Sequence, residues 1–190
     1  MSPAAVRPDM DGNEHTREGN YRHVRVADLP GGFTPARSKK EVDEAVGATT
    51  FGFNVYEADP GEMLPWGTHR HPAHEELFYV LEGELVVETP DREYVVGPGE
   101  AFFVPTDHRN RARGGEDGPV RVVAVGAPKA SDTSIIEEYC EVCDEVTRRE
   151  YELVDDTTDE TDGDADGDDR EGGRVVVLSC RNCGTETRRF

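Results

Sequence analysis

The stretch Gly61-Glu-Met-Leu-Pro65-Trp-Gly-Thr-His69-Arg-His71-Pro72-Ala-His74-Glu75-Glu76-Leu-Phe-Tyr-Val-Leu-Glu-Gly83 places two imidazoles one residue apart and a pair of carboxylates shortly beyond them. In extended backbone, residues two apart point to the same side, so His69 and His71 can present their ring nitrogens to one point in space. Pro72 cannot continue a hydrogen-bonded ladder and ends the strand there. The chain can then turn, and Glu75 or Glu76, opening the next apolar run, can approach from a neighbouring strand. Two imidazoles and a carboxylate around one ion, with other positions left open, form a ligand set that suits Fe(II), Mn(II), Ni(II) or Zn(II).

Around this stretch the chain reads as many short strands. Tyr21 to Val26 alternates and suits a first strand, and Pro35 to Gly47 reads as an exposed connection. Phe51 to Glu57, Leu77 to Leu81, Glu84 to Glu88, Tyr94 to Val96, Phe102 to Val104 and Val120 to Val125 follow, separated by turns rich in Gly and Pro. With no sustained helical period, this pattern predicts an all-β antiparallel sandwich or barrel. Residues 1–20 lack periodicity and read as a flexible N-terminal arm.

Both ends of the barrel stretch resemble the cupin superfamily. Its first motif has a His-x-His pair, a Glu after three or four intervening residues and a Gly after six more; His69, His71, Glu76 and Gly83 fit, with Glu76 the better candidate and Glu75 the reserve. The second motif is matched by Gly99-Glu-Ala-Phe-Phe-Val-Pro105-Thr-Asp-His108-Arg-Asn110 as far as Pro105. Beyond it the family has a Gly and a metal-binding His where this chain has Asp107 and Asn110. The fourth ligand implied by the resemblance is therefore His108, two residues early and on the same face of a regular strand, or else the weak amide oxygen of Asn110. The resemblance implies a double-stranded β-helix, or jelly-roll barrel, over residues 21–130, one divalent transition metal (Fe, Mn, Ni or Zn), an unidentified small-molecule ligand and a homodimer.

After Pro128 the style changes. Cys140-Glu-Val-Cys143 and Cys180-Arg-Asn-Cys183 are two knuckles with 36 residues between them, of which residues 155–173 contain no large apolar side chain and read as a disordered acidic insertion; 17 residues remain without it. That remainder suits a compact four-cysteine zinc site, and the segment 131–190 resembles a zinc ribbon clamping one structural Zn²⁺. Arg148 to Val154, Arg174 to Ser179 and Gly184 to Phe190 read as its strands. Asp144 stands where a Gly commonly follows such a knuckle. Within the insertion, Asp162 to Gly167 mimics the start of a calcium loop, but its twelfth position is Gly173 and no amphipathic helix flanks it.

The chain carries 41 acidic against 21 basic residues, a net charge of −20, and its only lysines are Lys39, Lys40 and Lys129. This resembles the proteins of salt-accumulating halophiles. It argues against a nucleic-acid footprint, which needs clustered cations. No run is long and apolar enough to cross a membrane, and the N-terminus lacks the apolar centre of a signal peptide, so a cytoplasmic protein is expected. His74 sits on the expected turn, at the edge of the site or in solvent, Trp66, Phe53, Phe78, Phe102 and Phe103 read as core or as the barrel mouth, and Tyr79 and Tyr94 carry hydroxyls that either reach a ligand or lie on the strand surface.

Two function classes follow. The barrel is a small-molecule binding or sensing module with the cysteine end as a partner-binding surface, or it is a mononuclear metalloenzyme, a dioxygenase or isomerase acting on a small organic acid, sugar or aromatic compound. The appended knuckles lean toward the first, because a catalytic barrel needs none.

Overall fold

The computed structural model describes residues 21–131, 133–155 and 174–189. The expected arm, 1–20, and all but the first residue of the expected insertion, 155–173, with its calcium-like run, lie outside the described residues. Strand β1 (Ser38–Glu41) runs into the short helix α1 (Val42–Val46). The barrel strands follow as β2 (Gly52–Ala58), β3 (Met63–Arg70), β4 (Glu75–Glu82), β5 (Leu85–Glu88), β6 (Glu93–Val96), β7 (Ala101–Val104), β8 (Asn110–Gly114) and β9 (Val120–Ala127). The tail supplies β10 (Ile135–Cys140), β11 (Glu145–Asp155), β12 (Arg174–Cys180) and β13 (Glu186–Arg189). Among the described residues no helix is long and apolar enough to cross a membrane.

Two antiparallel sheets face each other. One is ordered β1-β2-β9-β4-β7; the other, β13-β12-β11-β10-β3-β8-β5-β6, contains barrel and tail strands together. Side chains alternate between faces, so Phe78 and Val80 of β4, Val120 and Val122 of β9, Leu85 and Val87 of β5, Leu64 and Ala112 all point inward and are almost wholly buried. Burying a Val, Leu or Phe side chain is worth about 1.5–3 kcal/mol, and this shared interior holds the two sheets together. A smaller core of Ile136, Val176 and Leu178 packs against Trp66 of β3.

The tail does not hang free of the barrel. Ile135 pairs with Arg70 and Ile136 with His69, so β10 extends the barrel sheet across the expected boundary at residue 130. Two local expectations are corrected. Tyr21–Val26 forms no strand: it leads into a 3-10 turn at Val26–Asp28, because alternation alone cannot make a strand without a neighbour to receive its hydrogen bonds. The stretch 35–47 is more than a connection. β1 pairs with β2, and the buried Asp43 of α1 lies 2.6 Å from Lys129.

The turn after β4 is tightly constrained. Gly83 has φ of 70°, and a Cβ there would stand 2.2 Å from the Pro119 carbonyl oxygen. The Gly83→Ala substitution should therefore cost about 2 kcal/mol or more, read as a lower denaturation midpoint in urea at unchanged slope.

Candidate metal and ligand site

His69 is the penultimate residue of β3, and His71 follows the strand end where Pro72 turns the chain. Glu76 enters from β4 of the opposite sheet, so the site lies between the two layers at one end of the barrel. The His69 Nε2 to Glu76 Oε2 distance is 3.6 Å, and His71 Nε2 lies 3.5 Å from Glu76 Oε1. The two rings stand edge to face with centroids 5.1 Å apart. His69 Nδ1 donates to the Gly67 carbonyl at 3.0 Å, which leaves Nε2 turned toward the carboxylate.

This cluster is buried and underused. His69 Nε2, Glu76 Oε2 and both polar atoms of the Asn110 amide are buried with no hydrogen-bond partner among the described residues. Each such orphan costs about 1–3 kcal/mol unless something else satisfies it. Donor atoms about 3–3.5 Å apart are what metal–ligand bonds of about 2.0–2.2 Å would produce. His69, His71 and Glu76 thus fit one divalent ion. Burial works to raise the Glu76 carboxyl, but the neighbouring imidazoles of His69 and His71 override it and hold the group well below the usual carboxylate range.

The structure separates the other expected site residues. His108 is exposed at the cleft wall, its Nδ1 against the Thr106 carbonyl at 2.8 Å, and it stands apart from the three-residue cluster. The expectation that it replaces the missing histidine is corrected: residues 105–109 form a turn rather than a regular strand, so the two-residue spacing does not carry it to the same face. Asn110 is the residue that faces the site, opposite His69 in the β3–β8 register and 1% exposed. Glu75 points outward to solvent. His74 is buried, with its ring 5.0 Å from that of His71 and its Nδ1 donating to the Pro128 carbonyl at 3.1 Å. Its Nε2 fills the space where a side chain on Gly126 would begin, at 1.8 Å from that Cβ position.

A cleft of about 620 Å³ opens beside the cluster, lined by Tyr94, Phe102, Phe103, Arg70, Arg109 and Asn110 among others. Tyr94 and Phe102 pack with centroids 4.9 Å apart and ring planes tilted by 57°. Trp66, by contrast, faces the tail core and lies 5.2 Å from Phe33. Aromatic walls, two guanidinium groups and a neutral amide suit a small, partly apolar ligand carrying oxygens.

The four cysteines form a second cluster. Cys140 Sγ lies 3.7 Å from Cys183 Sγ, and Cys143 Sγ lies 3.9 Å from Cys180 Sγ; all four are free thiols. Tetrahedral bonds of about 2.3 Å from sulfur to zinc would set sulfurs about 3.8 Å apart, so this group also fits a metal ion. The knuckles are matched in backbone: Asp144 N–H donates to the Cys140 carbonyl and Gly184 N–H to the Cys180 carbonyl, both at 2.8 Å. Asp144 adopts φ of 56° beside the 74° of Gly184, so an Asp accepts the left-handed conformation here, with its carboxylate taking the Tyr139 hydroxyl. The Thr147 hydroxyl, 3.2 Å from Cys180 Sγ, draws that thiol down, while the hydrogen bond with Cys183 pushes Cys143 up.

Residues 54–126 match the Cupin domain family. A curated relative, the polyketide synthase CurC of Streptomyces cyaneus, is 32% identical over 112 residues, covering 57% of this chain and 70% of that protein. The chain belongs to the cupin family. The tetracenomycin polyketide synthase protein TcmJ of Streptomyces glaucescens is 35% identical to this cupin over 86 residues, 45% of this chain and 56% of that protein. Among solved structures, the polyketide cyclase RemF of Streptomyces resistomycificus superposes with a TM-score of 0.51 at 25% identity, covering 60% of this cupin and 83% of that chain. A cupin protein from Bacteroides fragilis shares the fold, with a TM-score of 0.50 at 16% identity over 61% of this chain and 91% of that one. What sequence reasoning missed in this cupin is the pair Arg70 and Arg109 at the cleft, since nothing in their spacing brings them together.

Because the folded Glu76 carboxyl sits below its ordinary value of about 4.3, its stabilising contribution is fully present above that pH and is lost as pH falls through the lowered value. Metal-stripped protein should therefore lose melting temperature between pH 5 and 3, and Glu76→Gln should flatten that slope.

Proposed function

We propose that the barrel holds one divalent transition metal through His69, His71 and Glu76, and that an open side of the ion faces a small oxygen-bearing molecule in the adjoining cleft. The observation that carries this reading is the set of buried donor atoms 3.5–3.6 Å apart, two of them with no hydrogen-bond partner among the described residues. The ligand set suits Fe, Mn, Ni or Zn, and Asn110 adds only a neutral amide beside it. When bound, the ion would supply Lewis-acid polarisation of a substrate oxygen. The chain's own residues supply the rest: Tyr94, with Arg92 over its ring, and Phe102 line the cleft wall with aromatic surface, and the carboxylate of Glu76 stays ionised.

The names of the relatives support the enzymatic reading over the sensing one. A polyketide synthase protein and a polyketide cyclase share the barrel stretch, so a reaction on an oxygen-rich, aromatic-type carbon skeleton is the substrate class proposed. The sensing reading keeps one supporting observation, the continuity of the tail with the barrel sheet.

For the tail we propose a zinc ribbon with Cys140, Cys143, Cys180 and Cys183 as ligands, supported by sulfur spacings of 3.7 and 3.9 Å. Four free thiols suit a reducing, cytoplasmic setting. A homodimer is proposed from the family, with the outward Leu77, Tyr79 and Phe103, each 38–52% exposed, as an apolar face for a second copy.

Metal analysis of the purified protein should find two equivalents of metal, and the His69→Ala/His71→Ala variant should retain only the cysteine-bound one. Equal content in both would refute the barrel site. Asn110→His, which adds an imidazole opposite His69, should tighten binding by about tenfold or more. The acidic surface, read as a salt adaptation, should give a melting temperature that rises from 0.1 M to molar KCl as carboxylate repulsion is screened; a flat or falling trend would refute that reading.

A further inference from the structure

The tail touches the barrel where the candidate site is built. Ile136 lies opposite His69 and Ile135 opposite Arg70 in the β10–β3 register, and Cys140 ends the same strand four residues on. Trp66, three residues before His69, packs on Ile136, Val176 and Leu178. Gly67, whose carbonyl orients the His69 ring, has φ of 146°, and a Cβ on it would stand 2.6 Å from Glu138 Oε1. On the other face of β10, Glu137 accepts from Arg70 Nε at 3.2 Å and from Arg109 Nε at 2.8 Å. Those two guanidiniums stand at the cleft, and Arg109 precedes Asn110. The Glu137 side chain is only 11% exposed, so these are not pairs that water screens freely.

Resting on the two metal readings above, we propose that the four-cysteine centre controls the barrel site: metal at the thiolates fixes β10, and β10 in turn fixes the strand that carries His69 and the arginines of the cleft. The physical reason lies in the size of the tail. Among the described residues its own core consists of Ile136, Val176 and Leu178 with Trp66 borrowed from the barrel, too little to order four strands without the metal. Releasing the metal frees Cys140 and with it the end of β10. The paired segment of β10 is short, so its hold on β3 weakens together with the Glu137 pairs. The far sheet, β1-β2-β9-β4-β7, has no strand neighbour among the described residues of the tail and keeps its order. An appended knuckle domain thereby gains a role in a barrel that needs none for its own fold, as a lever through which zinc supply sets the competence of the site.

Hydrogen exchange read by mass spectrometry tests this on the full chain, comparing zinc-loaded protein with protein stripped by an organomercurial and with the Cys140→Ser/Cys143→Ser variant. The expected result is at least about tenfold faster exchange across β10 and Trp66–Arg70, with β2, β4 and β9 unchanged. Acceleration confined to β11, β12 and the knuckles, with β3 unaltered, would overturn the proposal, as would global loss of protection. Should the double-serine variant unfold, Glu137→Gln keeps the thiolates and breaks only the ion-pair route; it should speed exchange at Arg70 and Arg109–Arg111 and leave zinc content intact, and unaltered exchange there counts against the proposal.

A second readout uses Mn(II), which thiolate sites do not select, followed by electron paramagnetic resonance. Its affinity for the barrel should fall about tenfold when the cysteine zinc is removed, and equal affinity would overturn the proposal. Failure of the underlying readings looks different. No Mn(II) binding to zinc-loaded protein removes the barrel metal while exchange still decides the coupling. No zinc in the wild-type protein removes the lever and the proposal with it.

Discussion

Strand parity governs this molecule. Because side chains alternate across a pleated sheet, the residues that close the interior between the two sheets also decide which polar groups are carried inside with them. Phe78 and Val80 face inward from β4, and the same parity turns Glu76 inward at the end of the strand. The same logic on β8 sends Ala112 to the core and Asn110 to the site. A slip of one residue in either strand would expose the apolar core and bury the solvent face, so the hydrophobic interior fixes the geometry of the polar site.

The polar site is held in a state that apolar packing alone does not satisfy. Burial disfavours a charged carboxylate, yet Glu76 remains ionised because two imidazoles face it. Orphaned donors and acceptors on His69, Glu76 and Asn110 are tolerated because the surrounding valines and leucines over-determine the backbone. The thiols follow the same pattern at the other centre, where the hydrogen bond with Cys183 opposes ionisation of Cys143 while Thr147 favours it at Cys180. Both clusters concentrate lone pairs where a cation would relieve them.

These centres are joined by one strand. β10 gives its face to His69, its opposite face to Arg70 through Glu137, and its end to the cysteine knuckle. Hydrogen bonding, the Trp66 contact and the Glu137 pairs all converge on β3, so the tail and the candidate site are in direct contact through one strand.

Much was legible before any coordinates. The one-residue spacing of His69 and His71, the interval from Glu76 to Gly83 and the run Gly99 to Pro105 give the fold and three residues that the structure clusters as a candidate site, because side-chain period and turn chemistry are local properties of the chain. The thiol knuckles are legible for the same reason. The sequence ranked His108 above Asn110 because the spacing assumed a regular strand where the chain turns. β8, with its Asn-Arg-Ala-Arg-Gly run, carries only one small apolar residue and sends no hydrophobic signal; its strand character comes from β3 and β5 on either side. The alternation of Tyr21–Val26 promised a strand that no neighbour among the described residues completes. Least legible was β10, Ile-Ile-Glu-Glu-Tyr-Cys, whose two faces serve different partners. Local pattern determined what each segment could be, and only long-range pairing decided that the cysteine tail and the histidine site share one sheet.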